Sequence, residues 1–476
     1  MSFTAITKNF SVQAGGKFLS VLIGLVSVAI ITRALGAEGF GEYTTAMTYL
    51  QLFGVMVDLG LTLTLVVMIS EPNADERRVI GNLLSLRLLS AALLFSAAAI
   101  IVTGLPWSKT VMMGVGIGAI AYFFMSGATL LTGVFQKHGA MWRAALAELA
   151  SRIVMLGLIA WFAWQGFGVV AMIAGLVVVN ILWFILTIIF ARPFVRIRPA
   201  CETAVWKDAL KRSWPIAVSI FFNLLYLKGD ILFLAYFRDQ TEVGIYGLSY
   251  KIIDVLTALP VMFMGLVLPG LVSAWGQKDS QNVRHFLNTT FDIFAIMAIP
   301  VIVGAQAVAV PLIRLIAGEG FDASAIILKL LIFATVGVFF GALYGHAVLA
   351  VQKQRVMMWG YIITAIVAVA GYLIFIPKYG MWGAAWMTLI SESMIAIWTF
   401  VVVYKAAKIL PNFIVTAKVI LASAMMYLLL IKLPENWPIL INIALAAVFY
   451  FVILLLVRAI KTEYLAQLSK MFKKAY

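Results

Sequence analysis

The chain runs to 476 residues, 64% hydrophobic and 12% charged, with a mean hydropathy of +1.05 and a net charge of +15 from 35 Lys+Arg against 20 Asp+Glu. A water-soluble chain of this size carries roughly a quarter charged residues and about half apolar ones, so lipid must be the solvent for most of this one. That excludes a cytosolic enzyme, a secreted module and a nucleic-acid-binding domain, and it directs the positive charge to loops that face anionic headgroups.

Met1 to Lys17 is polar and carries charge, which reads as no cleavable leader. Runs of about 20 apolar residues can cross a roughly 30 Å hydrocarbon core as helices. Fourteen are predicted: 17–36, 43–68, 80–103, 110–134, 145–165, 168–190, 214–237, 243–270, 287–316, 323–350, 356–376, 380–404, 413–432 and 439–459. Between the sixth and seventh lies a basic stretch, 191–213, with an amphipathic pattern (Arg192, Arg196, Arg198, Lys207, Lys211, Arg212). No connection is long enough to house a further domain.

The basic residues set the orientation. With both termini cytoplasmic, the inner loops, helix ends and tails hold 26 Lys/Arg. The outer set is seven: Arg33, Lys109, Arg238, Arg314, Lys329, Lys378 and Lys432. The expectation is a multi-pass protein of the plasma (inner) membrane.

Three short echoes relate the first six spans to the next six. Gly41-Glu42-Tyr43 matches Gly244-Ile245-Tyr246, Gln136-Lys137 matches Gln352-Lys353, and the Gly168 turn matches the Gly380 turn, at offsets of 203, 216 and 212 in the same order. A tandem duplication with an even number of spans per unit is parallel, related by a pseudo-two-fold axis along the membrane normal, and its working site is expected between the lobes. The predicted fold is therefore an all-α integral membrane protein with 14 transmembrane helices. It divides into an N-lobe at 1–190, a basic cytoplasmic linker at 191–213 and a C-lobe at 214–404. Residues 405–476 add the last two spans and a basic cytoplasmic tail.

The stretch Thr32-Arg33-Ala34-Leu35-Gly36-Ala37-Glu38-Gly39-Phe40-Gly41-Glu42-Tyr43, followed by Asp58-Leu59-Gly60, resembles the polysaccharide transporter family of the multidrug/oligosaccharidyl-lipid/polysaccharide exporter superfamily. Lys228-Gly229-Asp230, Glu242-Val243-Gly244-Ile245-Tyr246 and Tyr250-Lys251 carry the same resemblance. It implies a flippase that moves a polyprenyl-diphosphate-linked oligosaccharide from the inner to the outer leaflet, for O-antigen or exopolysaccharide biosynthesis. The implied partners are that lipid-linked oligosaccharide, membrane lipids and a polysaccharide polymerase with its chain-length machinery, and no nucleic acid. Short-form members have twelve spans. The sister lipid II flippases have fourteen, and there the added pair is associated with a lipid-binding groove.

Ionisable groups within spans face a cavity or one another. Lys228 and Asp230 in span seven, and Lys251 and Asp254 in span eight, are expected at similar depth, with Lys251 and Asp254 sharing one face at i,i+3. They read either as a structural ion-pair cluster or as a site for an anionic headgroup with exchangeable carboxylates. Arg33, Arg87 and Arg152 join Lys228 and Lys251 as substrate-binding candidates, because an Arg fork matches diphosphate oxygens. For Arg87 and Arg152 the alternative is snorkelling to the cytoplasmic headgroups, and for Arg33 an interfacial anchor. Asp58, Asp230, Asp254 and Glu392 are the ion-coupling candidates. Glu392 also reads as a helix–helix hydrogen-bonding group, as does Asn180. His346 reads as local packing, and Trp107, Trp142, Trp206, Trp214 and Trp437 as interface belts. Tyr226, Tyr246 and Tyr250 read as sugar platforms or lipid-facing rings.

The lone Cys201 and the scattered His138, His285 and His346 give no disulfide and no metal-ligand spacing. No cofactor is expected, and coupling is left open between protons, Na⁺ and the membrane potential. Two rival readings are a cation-coupled multidrug exporter of the same superfamily and a membrane glycan polymerase or ligase. The first would favour carboxylates over cations in its cavity, and the second a sizeable outer loop.

Overall fold

A computed structural model describes residues 3–434 and 437–460; the predicted basic tail from 461 onward lies outside them. Among the described residues all regular structure is helical. The elements are α1 (Phe3–Asp58), α2 (Leu61–Ser70), α3 (Glu76–Ile101), α4 (Lys109–Lys137), α5 (Met141–Trp164), α6 (Val169–Ala191), α7 (Thr203–Phe237), α8 (Gln240–Gly276), α9 (Ser280–Ala317), α10 (Asp322–Leu331), α11 (Ala334–Ala350), α12 (Gln354–Tyr379), α13 (Met381–Ala407), α14 (Ile414–Leu430) and α15 (Ile439–Leu456).

Helix ends follow local chemistry. The Asp75 carboxylate accepts the Arg78 N–H at 3.1 Å to open α3, the Ser108 hydroxyl accepts the Val111 N–H at 3.2 Å to open α4, and the Asp279 carboxylate accepts the Asn282 N–H at 3.0 Å to open α9. Among the described residues, 11 helical stretches are long and apolar enough to cross a membrane. The first, Leu19–Ser70, is 52 residues long and is interrupted at Gly36, whose φ of 66° leaves the helical region. Taken as two crossings, with the bent pair α10–α11 as one more and the shorter α14 as another, these recover the fourteen predicted spans. The protein is a multi-pass membrane protein.

Two predicted elements differ in form. Span two is broken near Asp58, and span ten bends by 42° between α10 and α11. The basic stretch 191–213 leaves α6 through a turn at 192–194 and has no regular structure from 195 to 202; from Thr203 it is helical and runs on without interruption as α7.

The chain packs as two compact units, one reaching to Gly244 and the other beginning at Ile245. In the first, α4 lies against α6 and α3, and α1 against α5. Small residues permit the close approach: a Cβ on Gly114 would stand 2.7 Å from Ile173 of α6, and one on Gly127 2.6 Å from Phe184. A core of Leu61, Leu65, Ile69, Leu83, Leu130 and Val134 joins α2, α3 and α4. In the second unit α13 packs on α11 and α12. The last two helices, α14 and α15, pack on each other and on α9, where the Tyr450 hydroxyl donates to the Ile296 carbonyl at 2.9 Å.

Candidate functional site

The first unit contains a charged hub where span two breaks. Leu59 (φ 44°) and Gly60 (φ 71°) take left-handed backbone, which glycine adopts freely and leucine does not. Asp58 explains the break. Its Oδ2 accepts the Gly60 N–H at 3.1 Å and its Oδ1 the Thr62 hydroxyl at 2.7 Å, so the side chain serves groups that a helix start leaves without partners. The same Oδ1 takes Arg87 Nη1 at 2.6 Å, and Arg87 Nε donates to the Ser126 carbonyl of α4 at 3.3 Å. The Arg87 side chain is 4% exposed and that of Asp58 24%.

Arg87 sits about 16 Å along α3, at 1.5 Å per residue, and does not snorkel: its guanidinium ends on Asp58. One sequence candidate for binding and one for coupling thus form a single pair. Such a pair supports two chemistries. An anion can compete with Asp58 for the guanidinium, and a proton or small cation can compete with Arg87 for the carboxylate.

The end of this unit where the α2–α3, α4–α5 and α6–α7 connections emerge is fastened by ion pairs. Lys137 Nζ reaches Glu76 at 2.7 Å and bonds the Ile69 carbonyl, while His138 Nε2 stands 3.4 Å from Glu76. Arg212 pairs with Glu71 and, at 2.9 Å, with Asp208. Arg78 Nε donates to both Glu202 oxygens at 3.0 and 2.9 Å; Asn82 accepts the Glu202 N–H at 2.6 Å and its carbonyl the Trp206 indole N–H at 2.9 Å. Hydrogen bonds from Arg78, then from Asn82, hold the Glu202 carboxyl below the usual carboxylate range. Trp206, predicted as an interface belt, thus ties the first turn of α7 to α3.

The opposite end is closed by backbone contact between the two echoed motifs. A Cβ on Gly41 would stand 2.7 Å from the Gln240 carbonyl carbon and 3.0 Å from the Gly244 nitrogen. One on Gly244 would stand 2.9 Å from the Ala37 carbonyl carbon and 3.0 Å from the Gly41 nitrogen. The contact is reciprocal: each glycine faces the carbonyl four residues before the other. Beside it the Thr45 hydroxyl donates to Gln240 Oε1 at 2.7 Å, and the Trp107 indole donates to the Ala235 carbonyl at 2.9 Å. Trp107 is buried here rather than belted at an interface.

The remaining candidates are placed as follows. Arg33 is exposed beside the Gly36 turn, and Arg152 Nη2 stands 3.6 Å from Glu148 one turn back on α5. Lys228 and Asp230 belong to the first unit, with Asp230 fully buried. Lys251 and Asp254 belong to the second, where they stand 4.0 Å apart on one face of α8. Tyr226, Tyr246 and Tyr250 are all buried, and the Tyr246 hydroxyl lies 3.0 Å from Thr388 Oγ1 of α13. Glu392, one turn further along α13, is buried with its backbone 2.8 Å from where a Cβ on Gly337 of α11 would stand. Asn180 bonds the Leu176 carbonyl of its own helix at 2.8 Å instead of bridging helices, and His346 faces its own Ala342 carbonyl at 2.7 Å.

Sequence reading missed the hub's neutral members, Thr62 and Ser126, and the buried Asp292 of α9. The signal for Thr62 is Asp-Leu-Gly followed two positions on by a hydroxyl, a break-and-cap pattern inside an apolar run. Ser126 contributes only its backbone carbonyl, which no side-chain pattern announces.

A family model described as polysaccharide biosynthesis protein matches residues 6–275. A curated relative, a putative O-antigen transporter of Shigella flexneri, is 22% identical over 417 residues, covering 83% of this chain and 98% of its own. Among solved structures, lipid II flippase MurJ in an inward closed conformation superposes with a TM-score of 0.75 at 15% identity, over 93% of this chain and 97% of that one. An inward-facing multidrug resistance MATE transporter of the MOP superfamily gives 0.69 at 13% identity, over 84% and 98%. The two superpositions show a shared helical fold.

Proposed function

The chain belongs to the polysaccharide biosynthesis protein family, and from that premise we propose that it flips a polyprenyl-diphosphate-linked oligosaccharide from the cytoplasmic to the outer leaflet of the inner membrane, for O-antigen or exopolysaccharide assembly. The observation that carries this reading is the presence of cations within apolar spans: Arg87 buried at the break in span two, Lys228 in α7 and Lys251 in α8. Hydrocarbon tolerates a cation only against an anion, and a diphosphate is an anion that a guanidinium and ammonium groups can hold in place of water. A multidrug exporter of organic cations would favour carboxylates without such cations.

The cycle opens the protein to one membrane face at a time. The reciprocal Gly41–Gly244 contact forms the seal at the expected outer face, and the Asp58–Arg87 pair lies toward the expected cytoplasmic one. An anionic group of charge about −2 carried outward against an inside-negative potential gains roughly 4.6 kcal/mol per 100 mV, so the potential drives export in the proposed direction. A proton or cation taken by Asp58 would release Arg87 to the cargo, and Asp230, Asp254 and Glu392 stand as further coupling groups.

Vesicles holding the purified protein, a fluorescent lipid-linked oligosaccharide and, separately, a fluorescent organic cation test the reading. Glycolipid flux that Lys228→Ala and Lys251→Ala each abolish, in protein that still inserts, is the expected result. Cation efflux without glycolipid flux would replace it with the multidrug reading.

A further inference from the structure

In the second unit, the end of α12 and the start of α13 enclose an open apolar groove of about 480 Å³. Its walls are two helical stripes: Phe375 and Tyr379 one turn apart on α12, and Trp382, Trp386 and Ile390 at successive turns of α13. The floor is Gly383, where a Cβ would stand 2.7 Å from the Phe375 carbonyl carbon. The helices therefore meet backbone to backbone, and the large rings on either side stand above a hollow that no side chain fills. Trp382, Trp386, Tyr379, Phe375 and Ile390 are all exposed, between 40% and 59%.

A cation is the chain neighbour of the lining residue Tyr379. Lys378 lies in the last turn of α12, three residues on from Phe375 and next to Tyr379, and it is exposed. A cation here is favoured by the carbonyls at the helix C-terminus, and the orientation expected from the basic residues puts it toward the outer face. Its flexible stem can hold a phosphate at interface depth, and the Trp382 and Trp386 indole N–H groups can donate to ester carbonyls.

We propose that this groove binds one acyl chain of an anionic phospholipid, with the phosphate on Lys378. The groove, apolar and open along one side, admits one acyl chain lengthwise. The stripe from Trp382 to Ile390 runs about 12 Å along α13, roughly the depth of one leaflet's upper hydrocarbon. The site is separate from the Asp58–Arg87 hub and does not depend on the nature of the cargo.

The full chain, reconstituted into phosphatidylcholine nanodiscs with and without phosphatidylglycerol and then taken into mild detergent, reports retained lipid by native mass spectrometry. The expected result is one phosphatidylglycerol kept in preference to phosphatidylcholine. Lys378→Glu should lower that retention about tenfold by reversing the charge facing the phosphate, and Ile390→Trp should lower it for both lipids by filling the groove. Equal melting temperatures for both variants and the parent show that the fold is retained. A quenching version, with brominated chains and Trp386→Phe as the subtraction, reads the same contact inside the bilayer. Equal retention of the two lipids, or retention unchanged in both variants, overturns the proposal. Displacement of the phospholipid by equimolar polyprenyl phosphate also overturns it and assigns the groove to an isoprenoid tail. Glycolipid flux is not the readout, so failure here leaves the transport reading standing.

Discussion

Replacing Gly41 or Gly244 by alanine should unseat one end of the first unit. At either position the added methyl would stand 2.7–2.9 Å from a carbonyl carbon of the facing helix, where carbon atoms pack at about 3.5–4.0 Å. The facing carbonyl oxygens, of Gln240 and Ala37, stand nearer still, so the two segments must separate by about 1.5 Å, and neither can yield by rotating a side chain, because the obstructing atoms are backbone. Overpacking of this kind costs about 1–3 kcal/mol. If the contact forms only when that end is closed, the penalty falls on the closed state and shifts the open fraction by about 5- to 150-fold. Thr45, fully buried and bonded to Gln240 beside the contact, is the reporter. In a Cys201→Ser background, Thr45→Cys should react with a membrane-impermeant maleimide from the outer face far faster when Gly244→Ala is present. Gly24→Ala and Gly116→Ala, where nothing lies within 4 Å, should leave labelling unchanged. Unchanged labelling in Gly244→Ala, with glycolipid flux intact, would refute the seal.

Three further outcomes follow from the charged groups. Removing one partner of the Asp58–Arg87 pair should cost about 3–5 kcal/mol, while Asp58→Asn with Arg87→Met should recover much of it, because a lone buried charge is worse than none; thermal unfolding in micelles reads this, and additive losses would deny the coupling. Glu202 is held below its ordinary value by Arg78, so its contribution to fastening the α6–α7 connection is complete above the usual carboxylate range and is lost as pH falls through the depressed value. Hydrogen–deuterium exchange over residues 195–207, corrected for the intrinsic rate at each pH, should therefore rise on strong acidification, and Glu202→Gln should show raised exchange already at neutral pH. Loss of glycolipid flux in Lys228→Ala and Lys251→Ala, with membrane insertion preserved, should not be rescued by raising the membrane potential if these cations hold the cargo directly.

Composition and span length alone determined that the chain is an all-helical membrane protein of about fourteen crossings, because hydrocarbon leaves a polypeptide few ways to satisfy its backbone. The same one-dimensional signals carried the echoed Gly41 and Gly244 motifs and the i,i+3 spacing of Lys251 and Asp254, which depends only on helical geometry. Tertiary structure decided the rest. Asp58 ends α1 and Arg87 lies on α3, so their pairing depends on how those two helices pack, and the same carboxylate accepts the Gly60 N–H at the left-handed Leu59–Gly60 pair. Likewise Trp107 looked like a belt residue because hydropathy cannot distinguish an indole at an interface from a buried one whose N–H meets a carbonyl on a neighbouring segment. A sequence reports which groups a helix carries; which of them face each other is set by side-chain and backbone contacts between segments far apart in the chain.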